Sequence, residues 1–126
     1  MISSKSKIAG SAILWLLLII SRSAWGHAFP DHSEPRVGSE VKSSPDRVKI
    51  WFDSGIEPIF SAIEVFDSNH QRVDKGDSRV DPKERTLLAV SVPPLQPGKY
   101  EVSWSVVALD THRTEGRFKF TVKSGP

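Results

Sequence analysis

Cysteine is absent from all 126 residues of this chain. Without thiols the protein can form neither a disulfide framework nor a thiolate that acts as nucleophile or metal ligand. A folded domain in this chain must therefore be stabilised by its hydrophobic core. Helical periodicity of useful length is also absent, which argues against a helical fold. Because no cysteine follows the apolar N-terminal segment, attachment as a bacterial lipoprotein is excluded.

The apolar runs in the sequence are shorter than a typical membrane-spanning helix. The longest, Ala12–Ile20, comprises nine residues, whereas a membrane-spanning helix needs about 20. Lys5 and Lys7 give this segment a positively charged start, and a short polar stretch follows it. The pattern is typical of a cleavable signal peptide, and it predicts an exported protein whose mature chain has no stable membrane insertion.

The cleavage site decides which residue begins the mature protein. Ala24 and Gly26 are small residues of the kind that signal peptidase recognises, so we predict a signal peptide over residues 1–26 and a mature domain over residues 27–126. Cleavage after Ala28 is an alternative, because the spacing of small residues fits there too. Retention of the segment as an uncleaved anchor is the other alternative.

The predicted mature domain has almost no net charge. Three of the 17 Lys and Arg residues lie in the predicted signal peptide, which leaves 14 against 15 Asp and Glu. The basic residues that remain do not cluster. Binding to nucleic acid or to an anionic membrane surface is therefore not predicted.

Apolar and polar residues alternate along several segments after position 27, as they do in strands with one buried face. In the first of these segments the apolar residues are Val48, Ile50 and Phe52. Turn clusters rich in Pro, Gly, Asp and Ser separate the segments. This arrangement predicts an all-β fold, a small Greek-key β-sandwich of immunoglobulin-like or cupredoxin-like type. The predicted strands cover residues 47–52, 61–67, 86–92, 100–108 and 117–122.

A histidine at the start of a mature chain is a metal chelate, because its α-amine and its ring Nδ1 are tethered to one Cα. Cleavage after residue 26 would give His27 this position. Asp110 and His112 supply a carboxylate and a second imidazole, and side chains two residues apart on a strand point the same way. We predict that these three residues form a metal site. The ordinary alternative for Asp110 and His112 is a turn carboxylate hydrogen-bonded to a neighbouring imidazole.

Several motifs of the mature chain occur together in one known family. They are His27-Ala28-Phe29, Ser33-Glu34-Pro35-Arg36-Val37-Gly38, Pro94-Leu95, Pro97-Gly98, Tyr100, Trp104, Asp110-Thr111-His112 and the run from Gly116 to Val122. With these motifs the sequence resembles the CopC-like periplasmic copper-resistance proteins over essentially the whole mature chain.

The resemblance implies a tetragonal Cu(II) site formed by the amine and ring of His27, by Asp110 and by His112. Such a mixed nitrogen and oxygen donor set suits Cu(II), with zinc as the main competitor. Some family members also carry a methionine-rich loop for Cu(I). The only methionine here is Met1, so we expect a protein that binds Cu(II) alone. Asp53 or Glu57 is a candidate for a further ligand.

The function that the resemblance implies is copper resistance or homeostasis, with the protein as a carrier or buffer of Cu(II). A coordination plane filled by protein ligands has no open position for a substrate, so we expect no enzymatic activity. The expected partner is an inner-membrane copper transporter of the CopD-like kind. Two alternatives remain from the sequence: a copper-dependent oxidative enzyme that uses the same histidine brace, and a metal-free immunoglobulin-like interaction module.

Overall fold

Residues 28–124, which the computed structural model describes, contain eight strands and no helix. The prediction of an all-β fold is confirmed. Within this range no helix could cross a bilayer. The strands are β1 (Pro30–Glu34), β2 (Glu40–Val41), β3 (Arg47–Phe52), β4 (Ala62–Phe66), β5 (Arg79–Val80), β6 (Leu87–Ser91), β7 (Gly98–Val107) and β8 (Arg113–Val122).

The strands form two four-stranded sheets, one in the order β1-β3-β6-β5 and the other in the order β2-β8-β7-β4. All pairs are antiparallel except β2 with β8. Alternate side chains of each sheet point into the space between the sheets, where Phe52 meets Trp104 edge to face at a centroid distance of 5.3 Å. The largest fully buried side chains are Phe120, Ile50, Ile56, Ile63, Leu88, Val48, Val65, Val90, Val102 and Val106.

The five predicted strands are all present, although β8 begins earlier than predicted, at Arg113. Strands β1, β2 and β5 are not among the predicted strands. Strand β1 is polar along most of its length, and Ser33 is its only buried residue. It is an edge strand that forms by pairing with β3, so its existence depends on the partner rather than on an apolar pattern of its own.

Strands β7 and β8 are the longest, and their pairing fixes where the predicted metal ligands lie. Their register runs from Gly98 with Val122 to Val107 with Arg113, so the turn that connects them lies at one end of the sandwich. Trp104 lies across Gly116 of the neighbouring strand, where an added Cβ would be 2.5 Å from the indole Cζ2. Glycine at this position therefore allows the indole to pack on β8.

Asp74 connects the loop after β4 to that strand. Its carboxylate accepts hydrogen bonds from the backbone N–H groups of Val65 (2.9 Å) and Gly76 (2.8 Å) and from the Arg72 guanidinium (2.9 and 3.0 Å). The side chain is fully buried. Burial alone would raise the pKa of Asp74, but the hydrogen bonds from Arg72, Val65 and Gly76 outweigh it and hold the pKa below its usual value.

We predict that Asp74→Asn lowers the free energy of unfolding by about 1–3 kcal/mol at neutral pH, because the amide leaves buried donors without an acceptor. A lowered folded-state pKa means that the contribution of Asp74 is complete above the ordinary Asp pKa and is lost as the pH falls through the lowered value. The variant should therefore lose less stability on acidification than the wild type. Urea unfolding over a pH series measures this, with Asp46→Asn as an exposed control. Parallel pH curves for wild type and Asp74→Asn would contradict the prediction.

Candidate metal centre

Asp110 and His112 lie in the turn between β7 and β8. The turn is closed by hydrogen bonds from the Ala108 N–H to the His112 carbonyl and from the Thr111 N–H to the Ala108 carbonyl, both 2.9 Å long. Thr111, between the two predicted ligands, has a positive φ of 78°, which is uncommon for a β-branched residue. This conformation places the side chains of Asp110 and His112 next to each other.

The argument from strand register was wrong for this pair, because β7 ends at Val107 and period-two alternation does not extend through a turn. The two side chains nevertheless come together. His112 Nδ1 lies 3.4 Å from Asp110 Oδ2, and the His112 backbone N–H donates to Asp110 Oδ1 at 3.3 Å. The turn therefore presents an imidazole and a carboxylate at one point.

Both side chains are accessible from solvent, with 58% of the His112 side chain and 36% of the Asp110 side chain exposed. An ion pair at this degree of exposure contributes about 0–1 kcal/mol to stability. The pair of Asp110 and His112 therefore contributes little to the stability of the fold. Because both side chains are exposed, a metal ion can reach them from solvent.

The first described residues of the chain are fixed at the same end of the sandwich. Ala28 is fully buried, and its carbonyl oxygen accepts a 2.7 Å hydrogen bond from the hydroxyl of Thr114, near the start of β8. Phe29 exchanges two hydrogen bonds with Asp53, each 2.9 Å long, one to the carboxylate and one between backbone groups. The chain next to position 27 is thus held beside the turn that carries His112.

The third predicted ligand, His27, lies outside the described residues. Within residues 28–124, no group of three or more His, Asp and Glu side chains is arranged to hold a metal ion. Of the two candidates for a further ligand, Asp53 already binds the Phe29 N–H. The backbone N–H of Glu57 donates to the Val107 carbonyl at 2.7 Å, which places Glu57 at the same end of the sandwich.

The two other histidines among the described residues lie away from the β7–β8 turn. His32 stacks on Trp51 at a centroid distance of 4.4 Å with an interplanar angle of 9°, and its Nδ1 lies 2.8 Å from the Asp31 carboxylate. Trp51 therefore packs against the edge strand β1. His70 is exposed in a turn and has a positive φ of 60°.

Comparison with known proteins identifies one family. The family model described as the CopC domain matches residues 31–123. The copper transport protein CutJ of Bacillus subtilis (strain 168) is 29% identical over 111 residues, which are 87% of this chain but 20% of CutJ.

Two solved structures are similar over most of the described fold. CopC from Methylosinus trichosporium OB3b has a TM-score of 0.69 and 33% identity, with 77% of this chain and 94% of that chain covered. PcoC, a methionine-rich copper resistance protein from Escherichia coli, has a TM-score of 0.66 and 27% identity, with 78% and 100% covered.

Proposed function

The chain belongs to the CopC family, and from this premise we propose that it is a periplasmic Cu(II) carrier or buffer. The family assignment confirms the expectation of a copper resistance or transport protein that is not an enzyme. In the proposed site the α-amine and ring of His27, the Asp110 carboxylate and the His112 ring bind the ion. Copper is the cargo of this protein.

The observation that carries the proposal is the hydrogen bond between Thr114 and Ala28. Ala28, which directly follows the predicted ligand His27 in the sequence, is thereby held at this end of the sandwich. Thr114 lies two positions after His112, next to the first residue of β8. The hydrogen bond therefore supports a site assembled from the mature N-terminus and the β7–β8 turn.

The donor set favours Cu(II) over its competitors. Imidazole, amine and carboxylate ligands suit Cu(II), which also has the highest place in the affinity order of divalent first-row metals. Zinc prefers a closed tetrahedral site. Cu(I) prefers sulfur ligands, and in contrast to the methionine-rich PcoC this chain has no cysteine and no methionine besides Met1. The sequence composition therefore supports a site for the oxidised ion.

A carrier needs a protein that accepts its cargo. In CutJ, a segment similar to this chain makes up a fifth of a longer copper transport protein. This arrangement supports a copper transport protein as the physiological partner. We propose an inner-membrane transporter of the CopD-like kind, to which the carrier transfers Cu(II) after cleavage of residues 1–26 and export.

We predict tight one-to-one binding of Cu(II) to the mature protein, and an affinity at least about tenfold lower in His112→Ala and in Asp110→Asn, because each change removes one donor. Competition titration against a Cu(II) chelator measures the affinities. His70→Ala removes an exposed histidine in another turn and should leave the affinity unchanged. Weak binding by the wild type, or equal affinities for His112→Ala and His70→Ala, would refute the assignment.

Acetylation of the mature N-terminus should lower the affinity by about 100-fold, because an amide nitrogen no longer offers the lone pair that completes the chelate at His27. The ring of His27 is left intact by this change. The same chelator competition, with acetylated and free protein compared at one pH, gives the ratio. An acetylated protein that binds Cu(II) as tightly as the free one would exclude the amine from the site.

Thr114→Val should lower the affinity by about tenfold, because the variant keeps the shape of the side chain but loses the hydrogen bond to Ala28. Thr114 is a positioning residue, so its effect should depend on the N-terminal chelate. In N-acetylated protein the same substitution should then change the affinity much less than in free protein. Equal losses in the two backgrounds would mean that Thr114 acts on the fold in general.

A further inference from the structure

Exposed apolar side chains are concentrated at the end of the sandwich that carries the proposed copper site. Residues 28–124 contain five large apolar side chains that are strongly exposed, and four of them lie at this end. The fifth, Val37 (70% exposed), lies in the loop between β1 and β2. We call the group of four the apolar collar; its members are Phe29 (53% exposed), Ile59 (85%), Phe60 (61%) and Leu109 (49%).

Two hydrogen bonds to the backbone of Val107 fix the loop that carries Ile59 and Phe60 to the end of β7. The Val107 carbonyl accepts a bond from the Glu57 N–H at 2.7 Å, and the Val107 N–H donates to the Ser61 hydroxyl at 3.2 Å. The loop is thus held on both sides of its tip. Ile59 and Phe60 form that tip, where they remain exposed.

The other two members lie on the two segments of the chain that carry the proposed ligands. Leu109 precedes Asp110 in the turn, and its N–H donates to the Gly55 carbonyl at 3.2 Å. Phe29 follows Ala28 and is fixed by Asp53. The apolar collar is therefore built from the N-terminal segment and the β7–β8 turn, which carry the proposed ligands, and from the β3–β4 loop, which is hydrogen-bonded to the end of β7.

Apolar side chains grouped on a surface in this way are typical of an interaction site. Transfer of a metal ion by ligand exchange requires the receiving ligands to come within bonding distance, about 2–2.5 Å, of the ion. A receiver of copper from Asp110 and His112 therefore has to contact this end of the sandwich. The apolar collar is what it would meet there.

We propose that the apolar collar is the docking surface for the copper transport protein that receives Cu(II) from this carrier. This inference rests on the proposed function. The receiving surface would present apolar side chains to the collar and basic ones around them, since the β3–β4 loop and the β7–β8 turn, which carry three of the collar residues, also carry the carboxylates of Asp53, Glu57 and Asp110. Docking would exclude water from the site while the ligands are exchanged.

The charges at this end favour a protein surface over the lipid bilayer as the occupant. The β5–β6 loop also lies at this end, since the Ile56 N–H donates to the Arg85 carbonyl at 3.0 Å. In the β3–β4, β5–β6 and β7–β8 loops and the first residue of β8, carboxylates outnumber cations: Asp53, Glu57, Asp81, Glu84 and Asp110 against Lys83, Arg85 and Arg113. An anionic membrane surface attracts basic segments and repels acidic ones. A second copy of the chain fits the function poorly, because two collars face to face would cover both copper sites.

The test compares the double variant Ile59→Asp/Phe60→Asp with Val37→Asp, which changes an equally exposed apolar residue outside the collar. In the source organism, the gene for the wild-type protein is replaced by the gene for each variant. Accumulation of radioactive copper is then measured in these strains, in the wild type and in a deletion strain. We expect the double variant to accumulate copper as the deletion strain does and Val37→Asp to match the wild type. The purified variants should both bind Cu(II) within about twofold of the wild-type affinity, because no ligand is changed.

Wild-type accumulation by the double variant would overturn the docking proposal and leave the proposed function standing. A deletion without effect on copper accumulation would contradict the carrier role and the docking proposal together. Two measurements on the purified wild-type protein test whether the collar binds a membrane or a second copy of the chain instead. The first is binding to liposomes of the organism's own lipids, and the second is dimerisation, measured by sedimentation. Either result would overturn the proposal if the double variant no longer shows it. We expect a monomer that does not bind the liposomes.

Discussion

The N-terminal segment is attached to one end of the sandwich, and the proposed copper site requires this attachment. Chain termini usually fray unless they are tied down, and here each sheet contributes to the attachment. Thr114 of β8 holds the Ala28 carbonyl, and Asp53, directly after β3, holds Phe29. Because these two contacts come from opposite sheets, the start of the described chain is fixed across the space between them, which makes a site that includes the mature N-terminus feasible.

The fold supports this end with a rigid frame and leaves the chemistry to the loops. The paired β7 and β8 run the length of one sheet, and their buried side chains fill the core in the absence of disulfides. The turn between them lies outside the core, and its conformation, with Thr111 at positive φ, brings the side chains of Asp110 and His112 together. In the proposed function these loops hold the cargo, and the apolar collar around it lets a receiver approach.

Much of the fold follows from the sequence, because β3, β4, β7 and β8 each bury one face and show it as alternation, and β6 lies in a segment rich in leucine and β-branched residues. Strand β1 could not be predicted in this way, since its polar residues form a strand only by pairing with β3. The proximity of Asp110 and His112 was predicted for the wrong reason: a turn with Thr111 at positive φ brings them together. Sequence gives no signal for that conformation or for the contact between Thr114 and Ala28, and the role of His27 stays a prediction.

Electron paramagnetic resonance of the mature protein loaded with one equivalent of Cu(II) shows whether the mature N-terminus binds the ion. Selective ¹⁵N labelling of histidine identifies which nitrogens couple to the copper. We expect an axial, tetragonal spectrum with couplings from the His27 amine, the His27 ring and the His112 ring. A spectrum without the amine coupling, or one that keeps all its histidine couplings when His112 is replaced, would contradict the proposed site.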